Sequence, residues 1–174
     1  MIEDDISTKL VQAYNRMLER VKAAVEHAEK DTLPNLQRHI EAAKKTAVEL
    51  GELTRDEAEK IGAYIKRDVQ DAAEHARQTG RELADWLRFD IKLIEARLAE
   101  MFALLVDRTR VELDRLGLQA KAGAAPETLR HTGEITGVGT LYCTACGQPL
   151  HFHTTAHIPP CPKCHGTTFR RKTT

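Results

Sequence analysis

The stretches Cys143-Thr-Ala-Cys146 and Cys161-Pro-Lys-Cys164 decide how the C-terminal part of this chain folds, and all four cysteines of its 174 residues lie in them. Two cysteines two residues apart fit a tight turn that points both sulfurs inward over backbone N–H groups. Two such knuckles together enclose one tetrahedral ion in a closed four-sulfur shell. The 14 residues between the knuckles fall just short of the usual span of about 15 to 20, a difference a compact hairpin absorbs. The pattern predicts Cys143, Cys146, Cys161 and Cys164 as ligands of one zinc ion per chain. Two disulfides would require an oxidising compartment, and a thiol-redox pair would need a single CxxC where a strand meets a helix. Iron in a rubredoxin-like centre takes the same four sulfurs and stands as the alternative metal.

A filled four-thiolate shell leaves no open position for water or substrate. The centre therefore predicts a structural role, with no catalysis and no small-molecule substrate. His151, His153, His157 and His165 surround the cysteines, but the shell is complete without them, and they are expected at surface positions of strands and loops. Strand-like pieces at 134–135, 141–142, 150–155 and 167–170 complete a module of residues 131–174. So few apolar side chains do not sustain a core, since modules below about 40 to 60 residues usually need a metal, disulfides or a partner. Replacing Cys161 by Ser is expected to unfold this module and leave the rest of the chain intact. Arg170, Arg171 and Lys172 beside Phe169 are candidate contacts to nucleic-acid phosphates or an acidic partner, or a solubilising tail.

Upstream, residues 117–130 are rich in alanine and glycine with one proline and no sustained period. They read as a linker that lets the module fold and move separately. Residues 1–116 read as helices. Ile6, Leu10, Tyr14, Met17, Val21, Val25 and Ala28 recur at three- and four-residue steps, and Pro34 breaks the chain after them. Leu36, Ile40, Ala43, Ala47 and Leu50 form a two-heptad seam that Gly51 closes. Thr54-Arg-Asp-Glu57 has the form of a capping box and opens a helix with the stripe Ala58, Ile61, Ile65, Val69, Ala72 and Ala76, ending at Gly80. A fourth helix is expected over about residues 82–116, widened by Trp86, Leu93, Phe102, Leu104 and Val106. One continuous helix of that length would span roughly 50 Å, and its apolar face exceeds what the alanine-rich third helix covers, which predicts self-association. His27, His39 and His75 lack the Glu three residues before them that an inward di-metal site requires, and are expected as solvated surface residues.

Formal net charge is zero. Residues 1–130 hold 22 Lys and Arg against 25 Asp and Glu, and residues 131–174 hold four against one. Such near-neutrality disfavours a dedicated nucleic-acid-binding surface. The acidic start Met-Ile-Glu-Asp-Asp is unlike a secretory signal and no apolar run approaches a membrane span, so a cytoplasmic location is expected.

Gly51-Glu-Leu-Thr-Arg-Asp-Glu57, Lys66-Arg-Asp68 and the run Thr132-Gly-Glu-Ile-Thr-Gly-Val-Gly-Thr-Leu-Tyr-Cys-Thr-Ala-Cys146 with Cys161-Pro-Lys-Cys164 resemble the bacterial YbeL-like zinc-ribbon proteins over most of the chain. The resemblance implies a long helical N-terminal region, a C-terminal zinc ribbon with the four cysteines as ligands, and no established biochemical role. One departure falls in the second knuckle, where His165 follows the last cysteine and Gly166 comes a place later. The expectation is a mainly α protein: an elongated antiparallel helical bundle or coiled-coil hairpin (1–116), a linker (117–130) and a small β zinc ribbon (131–174). Its expected role is a non-enzymatic interaction protein, whose helices bind a protein partner or form a homo-oligomer while the ribbon serves recognition. A rubredoxin-like or thiol-redox module, and nucleic-acid binding through the basic ribbon, are the alternatives.

Overall fold

Thr54 and Glu57 form the capping box the sequence predicts: the Thr54 amide donates to the Glu57 carboxylate (2.8 Å) and the Glu57 amide to the Thr54 hydroxyl (3.2 Å). They open α3 (Arg55–Thr79), whose stripe Ala58, Ile61, Ile65, Val69, Ala72 and Ala76 is buried throughout. The computed structural model describes residues 2–28, 36–79, 87, 91–115 and 129–171. The break at Pro34, the stop at Gly80, the side chain of Trp86, most of the linker and Lys172 lie outside them.

Among the described residues, three helices pack on α3. In α1 (Ile2–His27), Tyr14, Met17, Val21 and Val25 face the core as their period requires, whereas Ile6 is half exposed. In α2 (Leu36–Glu49), Leu36, Ile40, Ala43 and Ala47 are buried. Gly51 takes a left-handed φ of 68°; its amide donates to the Val48 carbonyl and that of Glu52 to Ala47. This C-terminal motif closes the helix at a residue without a Cβ penalty. Leu50, predicted in the seam, falls in this turn and is exposed. A bidentate pair from Arg20 to Glu52 (2.7 and 2.8 Å) ties α1 to the same turn.

The single fourth helix is not formed. Ile91–Leu93 is one 3₁₀ turn, residues 94 and 95 are not helical, and α4 starts afresh over Ala96–Arg115. No Gly or Pro marks the interruption. On its N-terminal side the hydroxyl of Thr140 donates to the Leu87 carbonyl at 2.7 Å. With the break, the 50 Å span is lost. Leu98, Met101, Phe102, Leu105 and Val106 are all buried within the one chain, and Leu93 is exposed instead of widening the stripe. The buried residues of the apolar face that suggested self-association are thus covered by the chain's own packing. His75, expected on the surface, is buried, while His27 is exposed.

Six short strands follow: β1 (Arg130–His131), β2 (Ile135–Thr136), β3 (Gly139–Cys143), β4 (Pro149–Phe152), β5 (Ala156–His157) and β6 (Thr168–Arg170). They form an antiparallel sheet in the order β1-β6-β3-β4 and a separate β2-β5 pair. Along β4, Leu150 and Phe152 point inward and Pro149 and His151 outward, the period of two expected of a half-buried strand. Arg130, read as the last residue of the linker, is the first residue of the sheet.

The ribbon is not a detached head. Asp68 of α3 is fully buried beneath it. One carboxylate oxygen accepts from the Tyr14 hydroxyl (2.9 Å) and the Gly137 amide (2.8 Å); the other faces Arg67 (3.3 Å), Arg130 (3.5 Å) and Arg171 (3.7 Å). Arg67 also reaches Glu134 (2.6 Å) and the Ile135 carbonyl (3.0 Å), Arg130 pairs with Asp71, and Arg171 donates to Thr136. Three guanidinium groups meet three carboxylates, the balance a buried charge cluster needs. Ile135 and Val138 join the apolar core of the helices, and Thr155 donates to Asn15 of α1 at 2.7 Å. Arg171, proposed from sequence as a phosphate or acidic-partner contact, is buried and committed to Asp68, so that assignment is withdrawn for it.

Burial alone would raise the Asp68 carboxyl, but Arg67, Arg171, Arg130 and the Gly137 amide together hold it below its ordinary value. A carboxylate depressed in the folded state contributes its stability above the unfolded value of about 3.9 and loses it as pH falls through the lower folded value. Acid titration should therefore weaken the helix–ribbon junction only below about pH 4, which amide chemical shifts of Gly137 would register. A second expectation concerns space. A Cβ on Gly137 would lie 2.9 Å from the Tyr14 hydroxyl oxygen, so Gly137→Ala should cost about 1–3 kcal/mol in denaturant unfolding. In a Tyr14→Phe background that cost should shrink, because the obstructing atom is gone.

Candidate metal centre

The two knuckles are turns at the ends of the sheet. Cys143 ends β3, paired with Phe169 of β6, and its carbonyl accepts from the Gly147 amide (2.9 Å). In the second knuckle the Cys161 carbonyl accepts from the His165 amide, also at 2.9 Å. The residue after each knuckle is left-handed: Gly147 at φ 73° and His165 at φ 58°. The departure noted in the sequence is thus resolved without changing the turn, since His165 adopts the conformation that glycine provides in the first knuckle, at some backbone cost.

The structure brings all four predicted ligands together. Their sulfurs lie within 4.8 Å of one another, with Cys143–Cys164 at 3.5 Å and Cys146–Cys161 at 3.6 Å. These distances are far from a disulfide of about 2.05 Å. They approach the edge of roughly 3.8 Å that a tetrahedron with metal–sulfur bonds of about 2.3 Å would have. The donor set also suits a cation electrostatically. Amides of Cys146 and Ala145 lower the Cys143 thiol. Burial works against the Cys161 thiolate, but the amides of Cys164 and Lys163 outweigh it and lower that thiol to about 7. The Gly166 amide favours the Cys164 thiolate, yet Cys146, Cys143 and burial push it up to about 12. Four adjacent sulfurs do not all ionise unaided, and a bound cation is what permits it. Among the described residues no other group of three or more His, Cys, Asp or Glu side chains could hold a metal.

Two of the neighbouring histidines serve the packing. Thr140, whose hydroxyl proton goes to Leu87, accepts from Nδ1 of His151 at 2.8 Å. His157 sits between the carbonyls of Gly133 (2.9 Å) and Ser7 of α1 (3.2 Å). His153 and His165 are exposed. Arg170 is half buried, and Lys172 lies outside the described residues.

Sequence reasoning missed the Asp68 junction. The available signal was Asp68 itself: three residues after Ile65 and four before Ala72, it lies on the buried stripe of α3, where an ionisable residue requires a partner.

A ribbon built from two CxxC knuckles with converging sulfurs and fixed to a helical bundle defines a zinc-ribbon protein, and the chain belongs to the family described as a zinc-ribbon containing domain, which matches residues 23–173. Among its relatives is the uncharacterized protein YbeL of Escherichia coli K12, 25% identical over 164 residues that cover 94% of this chain and 96% of that protein. The YbeL proteins of E. coli O6:H1 and O157:H7 match to the same extent. No solved structure matches the chain. No helix among the described residues is long and apolar enough to cross a membrane.

Because His165 occupies a left-handed position, His165→Gly should stabilise the metal-loaded ribbon by about 0.5–1 kcal/mol. Thermal unfolding in saturating zinc would check this, and an unchanged or lowered midpoint would show that the imidazole contributes more than its backbone costs.

Proposed function

We propose that the chain is a non-enzymatic, cytoplasmic interaction protein holding one zinc per chain, in which the helical bundle is a base and the ribbon a rigid recognition surface. The observation that carries this reading is the closed four-sulfur centre, whose donors fill a tetrahedron and leave no position for a reacting ligand. One side of the ribbon is occupied by the helices. Its knuckle tips, Thr144, Pro162, Lys163 and His165, are exposed and are the surface we assign to a protein partner. A homo-oligomer formed through the helices is less favoured, since Leu98, Met101, Phe102, Leu105 and Val106 of α4 are buried within one chain. Nucleic-acid binding is also less favoured, because Arg171 is spent on Asp68.

Elemental mass spectrometry with a visible spectrum of the same reduced sample tests the centre. One zinc per chain and no colour is the expected result; iron with a visible band would replace this reading by electron transfer. Sedimentation of the same sample should give a single-chain mass, and a concentration-dependent dimer would restore self-association through the helices.

A further inference from the structure

The ribbon's contribution to the Asp68 junction comes from strands that the metal centre organises. Its own apolar core is Leu141, Leu150, Phe152, Ile158 and Phe169 with Cys143 and Cys161. Phe169 pairs with Arg130 on one side and with the ligand Cys143 on the other. Two residues further on is Arg171, so both ribbon arginines that face Asp68 are held in place by the strand anchored at a knuckle. Five apolar side chains do not sustain such a module alone, and the two knuckles converge on one four-sulfur cluster that a shared ion would close. When the metal leaves, the ribbon should lose Arg130, Arg171 and the Gly137 amide as partners for Asp68, and withdraw Ile135 and Val138 from the helical core.

We propose that the ribbon is a metal-dependent cover over the α1–α3 face: occupancy of the four-cysteine centre is coupled through β6 and β1 to the Asp68 junction, so that metal loss uncovers Tyr14 and Asp68. The inference rests on the reading of the cysteines as a metal-held ribbon. It goes beyond that reading because a metal that only stabilised a tethered head would leave the helices unchanged, as the sequence suggested. Linkage makes the coupling reciprocal: a residue on α3, outside the sulfur shell, contributes to metal affinity because the folded ribbon docks on it.

The test uses the full chain under reducing conditions, loaded with zinc or stripped by a chelator, with hydrogen exchange followed by segment. Expected is loss of protection at 130–171 together with residues 10–18 of α1 and 64–73 of α3, while residues 40–47 of α2, held by Ile40, Ala43 and Ala47, keep theirs. In chelator competition, Asp68→Asn should lower zinc affinity about tenfold or more. Should that variant fail to fold, Tyr14→Phe, which removes one hydrogen bond to the same carboxylate, should lower it about fivefold. Loss of protection confined to the ribbon, or wild-type zinc affinity in a folded Asp68 or Tyr14 variant, would overturn the coupling and leave the metal reading standing. A chain that takes up no zinc and does not respond to chelation would overturn both.

Discussion

A carboxylate with no access to water is the constraint on which the arrangement of this protein depends. Asp68 lies on the inward stripe of the central helix, where an unpaired charge would cost several kcal/mol or force neutralisation. Its partners come from three directions: Tyr14 from α1, Arg67 from its own helix, and Gly137, Arg130 and Arg171 from the ribbon. Apolar packing by Ile135 and Val138 would tolerate several orientations of the ribbon on the bundle. The directional bonds to one carboxylate restrict them. The close approach of Gly137 to Tyr14 then sets how near the two parts come.

Metal centre and junction divide the work of holding the ribbon. The sulfurs close the two knuckles, and strand pairing carries that order from Cys143 to Phe169 and across to Arg130. At the other end, Thr140 reaches the Leu87 carbonyl and Thr155 reaches Asn15, so the ribbon touches the bundle at more than one place. The knuckle tips Thr144, Pro162, Lys163 and His165 stay exposed, which is why the proposed recognition surface is placed there.

The features legible in the sequence were those whose physics is local. Ligand spacing identified the four cysteines, period and capping chemistry identified the first three helices, and alternation identified β4. The features not legible depend on residues far apart in the chain. The interruption before α4 has no Gly or Pro to announce it, and the contact of Thr140 with Leu87, 53 positions away, has no local signal either. Arg130 and Arg171 read as linker and tail because an isolated arginine beside flexible or terminal sequence is ordinarily solvated. The carboxylates of Asp68 and Asp71, 62 and 59 positions from Arg130, make it structural. For Asp68 a local signal existed, its place on an apolar stripe, but the identity of its partners did not follow from it.

The distance along the chain between Asp68 and its last partner has a consequence for biosynthesis. Arg171 follows Asp68 by about a hundred residues, which at ribosomal rates of about 5–20 residues per second is a delay of roughly 5 to 20 seconds. Until Arg130 is made, 62 residues after Asp68, the junction members present are Tyr14, Arg67 and Asp71, and Arg67, adjacent in sequence, is positioned to accompany the carboxylate from the start. The nascent helices thus emerge with a polar notch in their apolar surface, which disfavours premature burial of that face against other chains until the ribbon arrives.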